Sequence, residues 1–156
     1  MVKINADQIR ALREKTGAPV MSVKKTLEDV GGDEKKAEVL LRKVGFEKAE
    51  NKSSRATGEG AISTYVHHSG KVASLVELLC ETDFVARNKL FKQLGHDLAL
   101  QVASMNPKNS LELEKQDFIK DPSKKISELV REVVVKTGEN IRIGRIYRIE
   151  LGQTEN

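Results

Sequence analysis

The sequence predicts an α+β fold, with an N-terminal three-helix bundle followed by an antiparallel three-stranded sheet covered by helices. Apolar residues recur at helical spacing up to Gly45, and two alternating runs then flank a turn signal at Ser69-Gly70. Two further helical patterns precede a last alternating run, Asn140–Leu151. Because strands and helices do not strictly alternate, we expect antiparallel pairing rather than a parallel sheet.

The composition is typical of a soluble globular protein. The chain has 156 residues, of which 38% are hydrophobic and 32% charged, so it can form a core without disulfide or metal support. No apolar run approaches the roughly 18 residues of a membrane helix, and the first ten residues lack the apolar stretch of a signal peptide. The single cysteine, Cys80, excludes an intrachain disulfide. These features predict a cytoplasmic protein with no membrane contact.

The three N-terminal helices are marked by their caps. Asn5 and Gln8 form a capping pair for a helix over Ala6–Lys15. Pro19 suits the first turn of a second helix, which runs to about Val30. Asp33 caps a third helix, which we expect to end at Gly45. The residues predicted to face inward are Val20, Val23, Leu27, Val30, Ala37, Leu40, Leu41 and Val44.

A polar stretch over residues 47–60 shows no apolar period and predicts a linker or a weak helix. It divides the chain into a helical domain over residues 1–46 and an α+β core over residues 61–156. The core begins with a hairpin of Ile62–His68 and Val72–Glu81.

The rest of the core is predicted to hold two helices and a strand. A helix with Phe91, Leu94, Leu98 and Val102 inward ends before Asn106-Pro107, and residues 106–123 are predicted to be loop. Ser123 is expected to cap a second helix, which Gly138 ends. Its expected inward residues are Ile126, Leu129, Val130 and Val133. In the last strand, Gly144-Arg145 breaks the alternation and predicts a bulge.

Signals for catalysis are weak. The chain carries neither common glycine-rich phosphate loop. His67-His68 is placed in a strand, so the two rings should point to opposite faces and not share a metal. Cys80 shares a face with apolar residues, which favours a core thiol over a nucleophile. Glu81 and Asp83 form an isolated acidic pair. We therefore expect neither an enzyme nor a resident metal or cofactor.

Two features suggest contacts with a partner. Met21 lies off the inward stripe among polar helical neighbours, which is typical of a contact point, although it could pack against the first helix. Thr82-Asp83-Phe84-Val85 lies where a strand must turn into a helix. Asp83 could cap that helix, and Phe84 could either enter a partner as a wedge or belong to the core.

Three motifs follow one another along the chain, and they are Leu12–Met21 with Lys24-Lys25-Thr26-Leu27, then Glu77–Asn88, and then Gly138-Glu139-Asn140-Ile141. In this order they resemble the signatures of the bacterial translation elongation factor Ts family. The second motif is highly specific.

The resemblance implies a bundle of the ubiquitin-associated type and guanine-nucleotide exchange on elongation factor Tu, the GTPase that carries aminoacyl-tRNA. It implies that the positions of Thr82, Asp83, Phe84 and Val85 enter the GTPase near its magnesium ion and displace that ion's surroundings. It also implies that the positions of Leu12, Arg13 and Met21 bind the nucleotide domain.

The resemblance also indicates a short form. Members of the family generally have a longer region where this chain has only residues 106–115, so we expect a homodimer to restore the missing contact area.

A different class stays open. Residues 1–57 carry 13 Lys and Arg against 9 Asp and Glu, so a basic RNA-binding module is the alternative. Against it, aromatic residues make up only 4% of the chain, which leaves few stacking platforms, and we expect no direct nucleic-acid contact.

Overall fold

The computed structural model describes residues 2–154 as seven helices and five strands. Met1, Glu155 and Asn156, at the ends of the two predicted domains, lie outside the described residues. In chain order the elements are α1 (Ala6–Thr16), α2 (Val20–Asp29), α3 (Glu34–Asn51), β1 (Glu59–Val66), β2 (Val72–Cys80), α4 (Asp83–Ala86), α5 (Lys89–Met105), α6 (Ser110–Lys115), β3 (Asp117–Phe118), β4 (Asp121–Lys125), α7 (Ile126–Thr137) and β5 (Ile141–Glu150).

Helices α1 to α3 pack around one apolar cluster, and we call them the N-terminal bundle. The predicted capping box is confirmed, because Gln8 N donates to Asn5 Oδ1 at 2.8 Å and Asn5 N donates to Gln8 Oε1 at 3.1 Å. Gly17 ends α1 in the left-handed conformation, with φ 68°. Pro19 is the N-cap of α2, one position earlier than predicted.

The inward stripe of the N-terminal bundle is narrower than predicted. Its buried apolar residues are Leu12, Ala18, Val23, Leu27, Ala37 and Leu41. Val20, Leu40 and Val44 are exposed, so their predicted inward position was wrong. In a bundle of only three helices the centre of each apolar face is buried, and the residues beside it stay at the surface.

Helix α3 continues past Gly45 to Asn51, six residues beyond its predicted end. Glycine within a helix lowers its stability by only about 1 kcal/mol, which tertiary contacts can offset. Here, Gly45 packs against α7, and a Cβ at this position would lie 3.2 Å from a methyl group of Val135. Only residues 52–58 therefore separate α3 from β1.

The core sheet is antiparallel and three-stranded, as predicted, and its strand order is β1-β2-β5. Its register shifts between Val76 and Leu78, where Gly144 and Arg145 stand opposite Glu77, which confirms the predicted bulge. Helix α5 packs on one face of the sheet. A Cβ at Gly95 would collide with Ser63, so this glycine lets α5 lie close to β1.

The other face of the sheet carries no helix among the described residues. Five large apolar side chains, each between 44% and 68% exposed, lie on it. We call this group the open sheet face: Ile62, Val66, Leu75, Tyr147 and Ile149.

Residues 106–123 are more ordered than predicted, since they include α6, β3 and part of β4. The buried side chain of Gln101 holds this part to α5, because its Nε2 donates to Asp117 O and its Oε1 accepts from Ile119 N, both at 3.0 Å. Ser123 lies within β4, and Lys125 is the N-cap of α7, so the predicted Ser123 cap was wrong.

Candidate functional site

The sheet-to-helix corner after β2 is formed by Thr82–Val85, which we call the corner segment. Thr82 is extended, with φ −128° and ψ 153°, and its side-chain oxygen accepts from Val85 N at 3.3 Å. Thr82 is therefore the N-cap of α4. The predicted cap, Asp83, is instead the first helical residue, where its charge still faces the positive end of the helix.

Phe84 is exposed and Val85 is buried. The Phe84 side chain is 76% exposed, whereas Val85 is 5% exposed and belongs to the core cluster. Successive helical residues point about 100° apart, so one helical turn directs the aromatic ring outward and the neighbouring valine inward. The core alternative for Phe84 is therefore excluded, and Val85 anchors the turn.

The Asp83 carboxylate is available at the surface. Its Oδ2 accepts from Arg87 Nη2 at 3.0 Å, one helical turn away. Both side chains are more than two-thirds exposed. Exposed pairs of this kind contribute at most about 1 kcal/mol, so a partner's cation or polar group can replace Arg87.

Glu139 braces the corner segment from the end of α7. Its Oε1 accepts from Thr82 N at 3.0 Å, and its Oε2 accepts from Thr82 Oγ1 at 2.7 Å. The chain reaches this position because Gly138 ends α7 in the left-handed conformation. No spacing pattern could have predicted this contact, since the two residues are 57 positions apart.

A second brace ties the polar connection after α3 to the same corner. Glu81 Oε1 accepts from Asn140 N at 2.7 Å and lies 3.5 Å from Arg55 Nη1. The buried Asn140 amide donates to the carbonyl oxygens of Ser53 and Arg55, at 3.3 and 2.8 Å. Three distant stretches of chain therefore hold the corner in place.

Cys80 lies directly beneath the corner and is fully buried. Its Sγ donates to Thr82 O at 3.1 Å. Burial raises the pKa of this thiol, and the nearby Glu139 carboxylate raises it further. The neutral thiol is thus favoured, and the expected core role of Cys80 is confirmed.

The predicted contact residues of the N-terminal bundle differ in exposure. Met21 is 72% exposed, which excludes the alternative that it packs against α1. Arg13 is exposed and lines a shallow depression of about 570 Å³ together with Val20. Leu12 is buried in the bundle and holds α1 in place rather than facing outward. No hydrogen bond or ion pair within residues 2–154 joins Arg13 or Met21 to the corner segment.

The two neighbouring histidines do not lie as predicted. Strand β1 ends at Val66, and beyond it the rings of His67 and His68 approach to 4.1 Å between centroids. The expectation that they point to opposite faces was therefore wrong, because the strand geometry does not reach them. Across the described part of the chain, no three His, Cys, Asp or Glu residues are grouped so that they could hold a metal ion. Nor does any helix there have the length and apolar character to cross a membrane.

Comparison with known proteins gives one consistent result. The family model described as Elongation factor TS matches residues 81–156, which include the whole corner segment. The chain is 40% identical to Elongation factor Ts of Thermotoga petrophila over 195 residues, covering 97% of this chain and 98% of that protein. It is 37% identical to Elongation factor Ts of Leptospira biflexa over 194 residues, with 96% and 98% covered. For Elongation factor Ts of Thermodesulfovibrio yellowstonii the identity is 39% over 197 residues, with 98% of each covered.

The alignments also show that this chain is shorter than those relatives. In the first, 97% of 156 residues is about 151, so about 44 of the 195 aligned positions have no residue of this chain opposite them.

Proposed function

The chain belongs to the elongation factor Ts family, and on this basis we propose that it binds elongation factor Tu and accelerates the release of GDP from it. The observation that carries the proposal is the near full-length similarity to proteins of that name, whose family model begins at the corner of Phe84. An exposed ring on a braced turn is suited to entering a partner, because little conformational freedom is left to lose on binding.

The corner segment is the proposed exchange element. The ring of Phe84 enters the GTPase near its magnesium site, and the carboxylate of Asp83 displaces groups that order the ion. Magnesium is held by few protein ligands and neutralises phosphate charge, so disturbing those ligands weakens GDP binding. Thr82 and Val85 take part by holding the turn from below. Binding of the factor weakens GDP binding by a coupling free energy. Because such coupling is reciprocal, bound GDP weakens binding of the factor by the same amount.

The N-terminal bundle is the proposed second contact. Its exposed side chains Arg13 and Met21 bind the nucleotide domain of the GTPase, while Leu12 supports them from the core. We assign the bundle to the ubiquitin-associated type and keep the division into a helical domain and an α+β core, with the predicted connection over residues 47–60 narrowed to residues 52–58. Exchange changes binding equilibria and requires no group that makes or breaks bonds.

The basic charge of the first 57 residues gives less support to the RNA-binding alternative. Several of its cations are paired with carboxylates, as in Lys15–Glu38 at 3.6 Å and Arg55–Glu81 at 3.5 Å. Paired cations release fewer counterions from a nucleic acid, which weakens binding.

The direct test mixes the protein with elongation factor Tu loaded with a fluorescent GDP and follows release in excess GDP. We expect release to accelerate with the concentration of the protein and to saturate. Release at the spontaneous rate at all concentrations would refute the proposal, and RNA binding with a steep salt dependence would favour the alternative.

We also propose that the chain forms a homodimer through the open sheet face. Its five large apolar side chains give an apolar patch on the order of 500 Å², near the lower limit for one side of a stable interface. Sedimentation should show a dimer that Ile149→Lys dissociates. The control, Leu111→Lys, changes a residue of similar exposure on α6. Sedimentation of the wild type as a monomer at micromolar concentration would contradict the dimer.

A further inference from the structure

Helix α7 carries a carboxylate that joins the N-terminal bundle to the core. Glu132 Oε1 accepts from Arg42 Nη1 of α3 at 2.7 Å and from Lys124 Nζ of β4 at 3.0 Å. Arg42 also donates to Glu38 within α3, with both Nε and Nη2 at 3.2 Å. One carboxylate oxygen thus bridges a cation of the bundle and a cation of the core.

The backbones pack closely around this bridge. A Cβ at Gly17 would lie 2.8 Å from Lys136 Cγ, and a Cβ at Gly45 would lie 3.2 Å from Val135 Cγ2. The space left at this junction is about 10 Å³, roughly enough for one water molecule. A large residue at either glycine would force the bundle away from α7.

The bridge is partly shielded from solvent, since the side chains of Arg42 and Glu132 are 30% and 20% exposed. Such a pair is screened less by salt than a surface pair. Without the carboxylate, Arg42 and Lys124 would face each other as two like charges. A second ion pair between α7 and α3, Arg131–Glu50 at 3.4 Å, is more exposed, so Glu132 supplies the shielded part of the polar junction.

We infer that Glu132 is a positioning residue for nucleotide exchange, because it fixes the N-terminal bundle at a set distance from the corner segment. This inference rests on the proposed function, in which Met21 and Phe84 contact the GTPase together. Only seven residues, 52–58, join α3 to β1. If the bundle moved freely on this tether, Met21 would reach the GTPase only at the effective concentration that the linker allows. The bundle would also have to be ordered each time the GTPase bound, which costs free energy.

The first experiment compares Glu132→Lys with Glu128→Lys in the full chain. Both variants change the charge on α7 by the same amount, but Glu128 forms no ion pair or side-chain hydrogen bond within the described residues. We expect Glu132→Lys to slow stimulated GDP release by about tenfold and Glu128→Lys to leave it within twofold of wild type. Glu132→Gln, which preserves the side-chain shape but removes the charge, should also slow stimulated GDP release.

The second experiment restores the junction by a covalent bond. A Cβ at position 45 would lie 3.9 Å from Val135 Cβ, within the range of disulfides. Adding Gly45→Cys and Val135→Cys to the Glu132→Lys variant should restore release to within twofold of wild type when oxidised and lose that gain when reduced. The native Cys80 is fully buried and should not compete. Circular dichroism should show the same helix content in both redox states.

The outcomes separate the two proposals. A wild-type protein that does not accelerate GDP release would overturn the proposed function itself. If the wild type is active and Glu132→Lys matches Glu128→Lys, or if the oxidised disulfide forms without restoring the rate, the positioning role of Glu132 is overturned.

Discussion

Replacing Phe84 by alanine separates the function of the corner segment from its folding. The ring is 76% exposed, so its removal should change the free energy of unfolding by less than about 0.5 kcal/mol, as for other surface substitutions. Full burial of a phenylalanine side chain stabilises by about 2.5 kcal/mol. About three quarters of that remains to be gained in the complex, roughly 1.9 kcal/mol, which corresponds to a factor of about 25 in rate.

Stopped-flow measurement of fluorescent GDP release from elongation factor Tu tests this value, with thermal unfolding recorded on the same samples. We expect Phe84→Ala to slow stimulated release at least tenfold at subsaturating concentration and to unfold within about 2 °C of wild type. Leu111→Ala is the matched control, because Leu111 is 67% exposed and far along the chain from the corner segment. A folded Phe84→Ala variant with a rate within twofold of wild type would refute the wedge.

Glu139→Gln cannot accept both hydrogen bonds from Thr82, so we expect stimulated release to fall about threefold or more in the stopped-flow assay. Met21→Ala removes an exposed contact of the N-terminal bundle and should lower the rate about fivefold without shifting the unfolding temperature. The Arg145 hydrogen bond holds the pKa of Glu77 below its ordinary value of 4.5. The pair therefore stabilises the fold above that pH, and the contribution is lost as pH falls, so urea unfolding of Arg145→Met should depend less on pH between about 5 and 3.

The two exchange predictions each have a control in the chain. Glu128→Gln on α7 and Val39→Ala on α3 change similar side chains away from the proposed contacts and should leave exchange unchanged. Equal losses in a variant and its control would show a general effect on the fold. If Arg145→Met retained the full pH dependence, other carboxylates would account for it.

The local signals in the sequence predict local structure well. The Asn5 capping box and the end of α7 at Gly138 are confirmed, because these features depend on residues within one turn. The bulge at Gly144 is confirmed because a break in alternation directly reports a shift in register. Within β2, Val76, Leu78 and Cys80 are buried at every second position, as the alternation predicts.

The misplaced elements depend on contacts that are distant in sequence. The hairpin after α6 is held by the buried amide of Gln101, and no pattern in residues 106–123 records that contact. Helix α3 continues past Gly45 because α7 packs against it, ninety residues later. The predicted orientation of His67 and His68 was wrong for a simpler reason, because β1 ends at Val66, before either histidine.

The sequence predicts the position of the corner segment but not the contacts that hold it in place. The sequence placed Phe84 at the end of a strand and left its exposure undecided, because a single aromatic residue at a corner suits either a core or a contact. The structure settles its exposure through the burial of Val85 beside it. No spacing in the sequence predicts that Glu139 accepts two hydrogen bonds from Thr82.

The ion pair of Glu77 and Arg145 lies among the apolar side chains of the open sheet face, with Nη2 and Oε2 2.8 Å apart. An apolar partner surface packed there would have to desolvate both charges, which is unfavourable unless the partner supplies new polar contacts. An apolar patch interrupted in this way resists non-specific contacts but can still pair with a second copy of the chain, which carries the same two charges. The open sheet face therefore favours a partner with complementary charges over a purely apolar one.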